Sequence, residues 1–184
     1  MNAKFVDRIN RLEEGINIAG LTQRYGIHSF KHEKSSFIDV IAENISLQES
    51  DIFYDLGSGY GFLLLKLADK FPESKFKGIE IVEERANFSK ELLTHHSITN
   101  CEIIGADMLE FDFMEGTYFF LFNPLHDYQY PIIIEKLGSI QHDIVVITEA
   151  KACYFFKKVP WLKPTYRLNL DYMRVLQIFR SRSK

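Results

Sequence analysis

The chain has 184 residues, enough for one domain with a sizeable core, and carries 22 Lys or Arg against 25 Asp or Glu for a net charge of −3. No segment approaches the ~18 apolar residues that a bilayer span needs, and the start, Met1-Asn2-Ala3-Lys4-Phe5-Val6-Asp7, scatters charge among its apolar positions, so neither membrane insertion nor a secretory leader is expected. Cys101 and Cys153 are far apart and lack metal-ligand spacing, which predicts reduced thiols in a cytoplasmic protein, with a disulfide as the alternative.

Phe5, Ile9, Leu12 and Ile16 recur at three- and four-residue spacing, predicting a short amphipathic helix that ends near Gly15 or Gly20. A connector through Tyr25, Phe30, Lys31 and His32 follows. Tyr25, Phe30 and His32 could cover a site as a lid or pack on a core edge. His28 and His32 are spaced for one helix face, but no nearby Cys or third His completes a metal set, and no metal is expected. Ser35 or Ser36 can cap the next helix, whose apolar face is Phe37, Val40, Ile41 and Ile45. No linker or low-complexity tract follows, so residues 1–49 are expected to form an N-terminal helical extension of the same domain whose core is residues 50–184.

From Asp51 short apolar runs alternate with helical stretches, the pattern of a parallel sheet covered on both faces. Strands are predicted near Ile52–Asp55, Lys75–Ile81, Cys101–Ile104, Tyr118–Phe122 and Asp143–Thr148. Helices are predicted near Gly61–Phe71, where Pro72 can stop the first, and near Glu83–His95, Tyr130–Gly138 and Ala152–Lys157. Pro160 and Pro164 break the pattern. The final runs, Tyr166–Leu170 and Tyr172–Phe179, read as two strands joined by a tight turn at Asn169–Asp171. A hairpin is antiparallel, so the sheet should end with one reversed strand. The expected fold is α/β: a doubly wound, mostly parallel seven-stranded sheet with a C-terminal antiparallel hairpin.

Between the first strand and its helix stands Asp55-Leu-Gly57-Ser58-Gly59-Tyr60-Gly61, and Glu80 lies at the end of the second strand. A glycine-rich turn after a strand lets backbone N–H groups approach a ligand, the following helix adds its partial positive end, and an acid ~20 residues on suits a ribose diol. Asp55 discriminates between cofactors. A dinucleotide pyrophosphate would meet its carboxylate, and like charges ~4 Å apart repel by ~4 kcal/mol at an effective dielectric of ~20. S-adenosylmethionine reverses that sign, with an ammonium and a sulfonium at one end and no phosphate at the other.

The loop resembles motif I of the class I, seven-strand S-adenosylmethionine-dependent methyltransferases, an acid, any residue, then Gly-x-Gly-x-Gly. Glu80 in Gly78-Ile-Glu80-Ile81, Asp107 in Gly105-Ala-Asp107-Met108, and Asn123-Pro124 after the fourth strand extend the resemblance over residues 50–180 or so. It implies S-adenosylmethionine as cofactor. Asp55 would accept a hydrogen bond from the methionine ammonium, with Gly57, Ser58, Gly59 and Gly61 allowing close approach. Glu80 would accept both ribose hydroxyls. Asp107 would accept the adenine amine, with Met108 and Ile81 on either side of the base. Tyr60 could shape the methionine pocket or sit at the surface.

Asn123-Pro124-Leu125-His126-Asp127 lies where the methyl acceptor should arrive. Amine-methylating members have Pro-Pro and an aromatic here; Pro124 keeps the first Pro, whereas Leu125 and His126 replace the rest and aromatics return only at Tyr128 and Tyr130. Asn123 could accept a hydrogen bond from an amine and His126 could act as base; a plain turn onto the next helix is the alternative. Glu149 faces the same crevice. The expected function is methyl transfer to an unidentified protein lysine, nucleic acid or small molecule. The alternatives are a cofactor-binding module without catalysis and a nicotinamide-dependent oxidoreductase. Oligomeric state is not legible. From Lys151 to the C-terminus nine Lys or Arg face one acid, Asp171. This basic segment, with Lys157, Lys158, Arg167 and Arg174, either docks an acidic partner or RNA or protects exposed strand edges.

Overall fold

The computed structural model describes residues 3–25, 36–169 and 175–181. Seven strands, β1 (Ile52–Leu56), β2 (Lys75–Glu80), β3 (Cys101–Gly105), β4 (Tyr118–Phe122), β5 (Val145–Glu149), β6 (Leu162–Asn169) and β7 (Val175–Ser181), form one sheet in the order β3-β2-β1-β4-β5-β7-β6. β1 to β5 pair in parallel, while β7 is antiparallel to both β5 and β6. One reversed strand therefore sits between β5 and β6, as the terminal hairpin predicts.

Helices α3 (Ser36–Asn44), α4 (Phe62–Lys70) and α5 (Glu83–His95) cover one face, and α6 (Tyr130–Gly138) and α7 (Ala152–Phe156) the other. Strand alternation divides the core between them. Phe53, Phe76, Phe120 and Ile147 meet Phe37, Ile41, Leu64 and Leu67 on the first face. Tyr54, Leu56, Ile79, Phe119 and Val146 meet Ile133, Leu137 and Phe156 on the second. Burying each such side chain contributes ~1.5–3 kcal/mol.

Two departures from the sequence expectation have local causes. A further helix, α2 (Ile18–Tyr25), follows α1 (Ala3–Gly15), where an aromatic connector was expected to begin. Asn17 starts it: its Oδ1 accepts the Gly20 N–H at 3.1 Å and its carbonyl accepts that of Leu21 at 3.1 Å, so Gly20 lies inside a helix instead of ending one. At the other end β6 runs straight through Pro164. It is the edge strand, and a bulge between Pro164 and Tyr166 accommodates the missing N–H. Its turn to β7, expected at Asn169–Asp171, falls largely outside the described residues, as do Leu170, Tyr172 and Arg174, and with them Ser35, His28, Phe30, Lys31 and His32.

The N-terminal helices close over the carboxyl ends of β1 and β2. Ile9 packs with Tyr60, Phe88 and Leu92. Ile16 packs with Val82, and Ile18, Leu21, Tyr25 and Ile81 extend that cluster. Cys101 and Cys153 are free thiols, and among the described residues no helix is long and apolar enough to cross a membrane.

Candidate functional site

Strand order reverses between β1 and β4, and the crevice at their carboxyl ends is where open α/β sheets take ligands. Asp55 is the last residue but one of β1 there. It stands in register with Gly78 on one side and Phe120 on the other, on the face covered by α4 and α5, and is 3% exposed. No donor or cation among the described residues reaches its carboxylate. Burial, then the charge of Glu80, pushes its pKa up to about 8.

The loop that follows is wound by three glycines with positive φ: Gly57 at 91°, Gly59 at 55° and Gly61 at 72°. Gly57 is also held by space, since a Cβ there would lie 2.7 Å from the Pro124 Cβ of the β4 loop. The loop's donors do not face outward as a phosphate-binding turn would have them. Gly57 and Ser58 N–H both donate to the Ile79 carbonyl (2.9 and 3.0 Å), Gly61 N–H to the Ser58 carbonyl (2.9 Å) and Gly59 N–H to Glu80 Oε2 (2.7 Å). Four of the five N–H groups over residues 57–61 are thus engaged inside the protein, a correction to the expectation of free donors. The Ser58 hydroxyl remains, buried and without a partner among the described residues.

Glu80 is 4% exposed and bonds both oxygens to backbone, Oε2 to Gly59 N–H and Oε1 to Val82 N–H at 2.8 Å. Burial raises its pKa, while the Val82 N–H and the Arg85 guanidinium oppose the rise. Asp107 Oδ1 accepts the Leu109 N–H at 2.9 Å, which leaves its second oxygen outside that turn. Met108 is buried with its Cε 3.5 Å from where a Gly57 Cβ would lie, and Ile81 is half-buried against α1 and α2.

Tyr60 does not sit at the surface. Its side chain is fully buried against Phe88, with ring centroids 5.2 Å apart, and its hydroxyl donates to Glu13 Oε1 of α1 at 2.6 Å. Arg85 of α5 grips the same carboxylate through Nε and Nη2 at 2.9 and 3.0 Å. Glu13 and Arg85 fasten the N-terminal extension to the loop, a role invisible in the sequence because the pair is separated by 72 positions and carries no motif.

Across the crevice Asn123 adopts φ 46°, and its Oδ1 accepts the Ala152 N–H at 3.3 Å. His126 N–H donates to Gln129 Oε1 at 2.9 Å, closing a single 3-10 turn over Asp127–Gln129. Its ring stacks on Tyr128 at 5.3 Å, and Nε2 lies 3.2 Å from the Gln23 carbonyl of α2; in the tautomer that donates this bond, Nδ1 carries the lone pair. Glu149 is buried at the end of β5, in register with Phe122. The structure brings Asp55, the glycine loop and Glu80 together at one set of strand ends, with the Pro124 turn packed directly on Gly57. Among the described residues no group of three His, Cys, Asp or Glu is placed to hold a metal.

The family model described as "Histone methylation protein DOT1" matches residues 25–124. Two curated proteins are similar: ribosomal RNA small subunit methyltransferase G of Leuconostoc mesenteroides subsp. mesenteroides, 24% identical over 101 residues, and (S)-tetrahydroprotoberberine N-methyltransferase of Eschscholzia californica, 24% identical over 102. These alignments cover 55% and 52% of this chain but only 42% and 29% of those proteins. An RNA methyltransferase from Salinibacter ruber, solved in complex with S-adenosyl-L-homocysteine, superposes with a TM-score of 0.66 over 84% of this chain and 95% of its own at 19% identity. The fold is that of the class I methyltransferases.

Proposed function

The chain belongs to the histone methylation protein DOT1 family, and from that premise we propose that it is an S-adenosylmethionine-dependent methyltransferase. Asp55 carries the reading. A carboxylate this deeply buried without a donor is costly unless a cation pairs it, and the cofactor's methionine ammonium is such a cation. The engaged loop donors support the same choice, because a pyrophosphate would find few N–H groups to bind.

Asp55 pairs the ammonium, and the Ser58 hydroxyl is available to the methionine carboxylate. Glu80 accepts the ribose hydroxyls with the lone pairs that Gly59 and Val82 leave free. Asp107 accepts the adenine amine with its second oxygen, between Met108 and Ile81. Gly57, Gly59, Gly61 and the Tyr60 backbone give the close approach. The cofactor supplies an already activated methyl group, so the protein's part is alignment and exclusion of water. Asn123 orients the acceptor, and His126, held by Gln23 and Tyr128, takes its proton. The names of the two curated relatives point to RNA and to a small amine as acceptors, so the acceptor class rests on the surface around Asn123.

Titration calorimetry tests the reading. Saturable heat is expected with S-adenosylhomocysteine and none with NAD; the reverse pattern would overturn it.

A further inference from the structure

Charge divides across the crevice. The acids Asp55, Glu80 and Asp107 stand at the ends of β1, β2 and β3, the half that suits a cationic cofactor. The opposite half, built by the loops after β4 and β5 and by α7 that follows, presents Lys151 before α7 and Lys157 and Lys158 at its end, all exposed. These loops form one rim, joined by the Asn123–Ala152 hydrogen bond and by an ion pair between Lys151 and Asp127 at 2.6 Å, which also neutralises the rim's exposed acid. Lys157 and Lys158 make no ion pair among the described residues. Both instead lie over the ring of Tyr154, at 4.8 and 3.7 Å from its centroid.

The same rim carries solvent-exposed aromatic rings. Five large apolar side chains stand out as exposed among the described residues, and three of them are here: Phe122 at 48%, Tyr128 at 66% and Tyr154 at 52%. Phe122 ends β4 one residue before Asn123, and Tyr128 turns one ring face to His126 and leaves the other open. An acidic peptide would use the lysines but has no need of three exposed rings. Rings interleaved with cations are what a single strand of nucleic acid requires, bases stacking on the π faces while phosphates follow the charge.

We propose that this rim docks single-stranded RNA and that the methyl acceptor is a base of that strand, an assignment that rests on the methyltransferase reading above. A base nitrogen lone pair forms the new bond to the methyl carbon as the sulfur–methyl bond breaks. The bonding pair stays on sulfur, and the proton displaced from the base passes to His126 or to solvent. RNA is the more suitable strand because its loops and bulges offer unstacked bases.

The test is anisotropy of a fluorescein-labelled, mixed-sequence RNA of about a dozen nucleotides, titrated with the full chain at several salt concentrations beside calorimetry with S-adenosylhomocysteine. Tyr128→Ala and Tyr154→Ala should each weaken RNA binding by about tenfold. Lys157→Gln with Lys158→Gln should flatten the salt slope by about 1.4. S-adenosylhomocysteine heat should be unchanged in all four substitutions, which also shows that the variants are folded. With methyl-labelled S-adenosylmethionine and a cell extract, label should enter the RNA fraction. The docking proposal is overturned if a chain that binds S-adenosylhomocysteine ignores RNA, holds a poly-glutamate peptide of equal charge as tightly, or labels protein alone. Absence of S-adenosylhomocysteine heat would overturn the methyltransferase reading itself.

Discussion

Asp55, one residue before the end of β1, and Glu80, at the end of β2, lie on the same face of the sheet, yet among the described residues only Glu80 is given hydrogen-bond donors, the N–H groups of Gly59 and Val82. Asp55 is left buried beside a second carboxylate, and its pKa rises to about 8 through burial first and the Glu80 charge second. The loop is thus folded around one acid and waits on a ligand to satisfy the other.

Cofactor binding should therefore release a proton. Pairing with an ammonium requires ionised Asp55, so below about pH 8 each binding event expels close to one proton, and affinity climbs with pH up to that value. Calorimetry in buffers of different ionisation enthalpy reads the proton count directly. Stability of the ligand-free protein runs the other way. Native Asp55 keeps its proton to about pH 8 while the unfolded chain loses it near 3.8, so the native state binds more protons between these limits. Stability falls as pH rises through that window and is then independent of this group. Asp55→Asn should remove the slope, raise the urea midpoint near neutral pH, and cost about 1.5–3 kcal/mol of cofactor affinity.

Glu80 serves both the loop and the ligand in this reading, and Glu80→Gln separates the two. The amide keeps one acceptor but sets an NH2 group against a backbone N–H, so either Gly59 or Val82 loses its partner. S-adenosylhomocysteine affinity should fall about tenfold, and hydrogen exchange at whichever of these two amides is released should quicken. An unchanged dissociation constant would move the ribose role to another acid.

The strand ends were legible because the chemistry there is local. Asp55, the three glycines and Glu80 are short-range signals, and the alternating runs around them place the sheet. The remaining contacts depend on distant partners. Nothing near Tyr60 in sequence tells that its hydroxyl meets Glu13, and nothing in Gly20 tells that Asn17 starts a helix across it. The direction of the loop N–H groups likewise depends on the Ile79 carbonyl and the Glu80 carboxylate of a neighbouring strand. Pro164 reads as a strand breaker until the topology shows it on an edge.

The Glu13 carboxylate is shared by Arg85 and Tyr60, with the Glu13 and Arg85 side chains only 13% and 6% exposed, so its removal takes a two-point ionic partner from a buried guanidinium. Glu13→Ala should destabilise the protein by about 3 kcal/mol. Tyr60→Phe should cost about 1 kcal/mol, and the double variant less than the sum, because the phenol has already lost its acceptor. Urea denaturation supplies the three free energies. Limited proteolysis should find the Glu13→Ala chain cut first within α1 or α2, since the cluster that holds them to Tyr60 and Val82 is small. Strict additivity of the two substitutions would mean that the phenol and the guanidinium do not act through one carboxylate.

Asn123 combines a left-handed backbone with a side-chain contact, and two substitutions pull these apart. Asparagine tolerates φ 46° better than alanine does, while glycine adopts it freely. Both Asn123→Ala and Asn123→Gly remove the acceptor of the Ala152 N–H, but only the alanine adds backbone strain, at ~1–2 kcal/mol. If the side chain positions the methyl acceptor, both variants should lower release of S-adenosylhomocysteine in a cell-extract assay by tenfold or more at unchanged cofactor affinity. If instead the residue matters only for the shape of the turn on Gly57, the glycine variant should retain turnover and the alanine variant lose it. The expectation is loss in both, because the Asn123 side chain ties the β4 loop to the start of α7 and, in the proposed reading, is the group that orients the methyl acceptor.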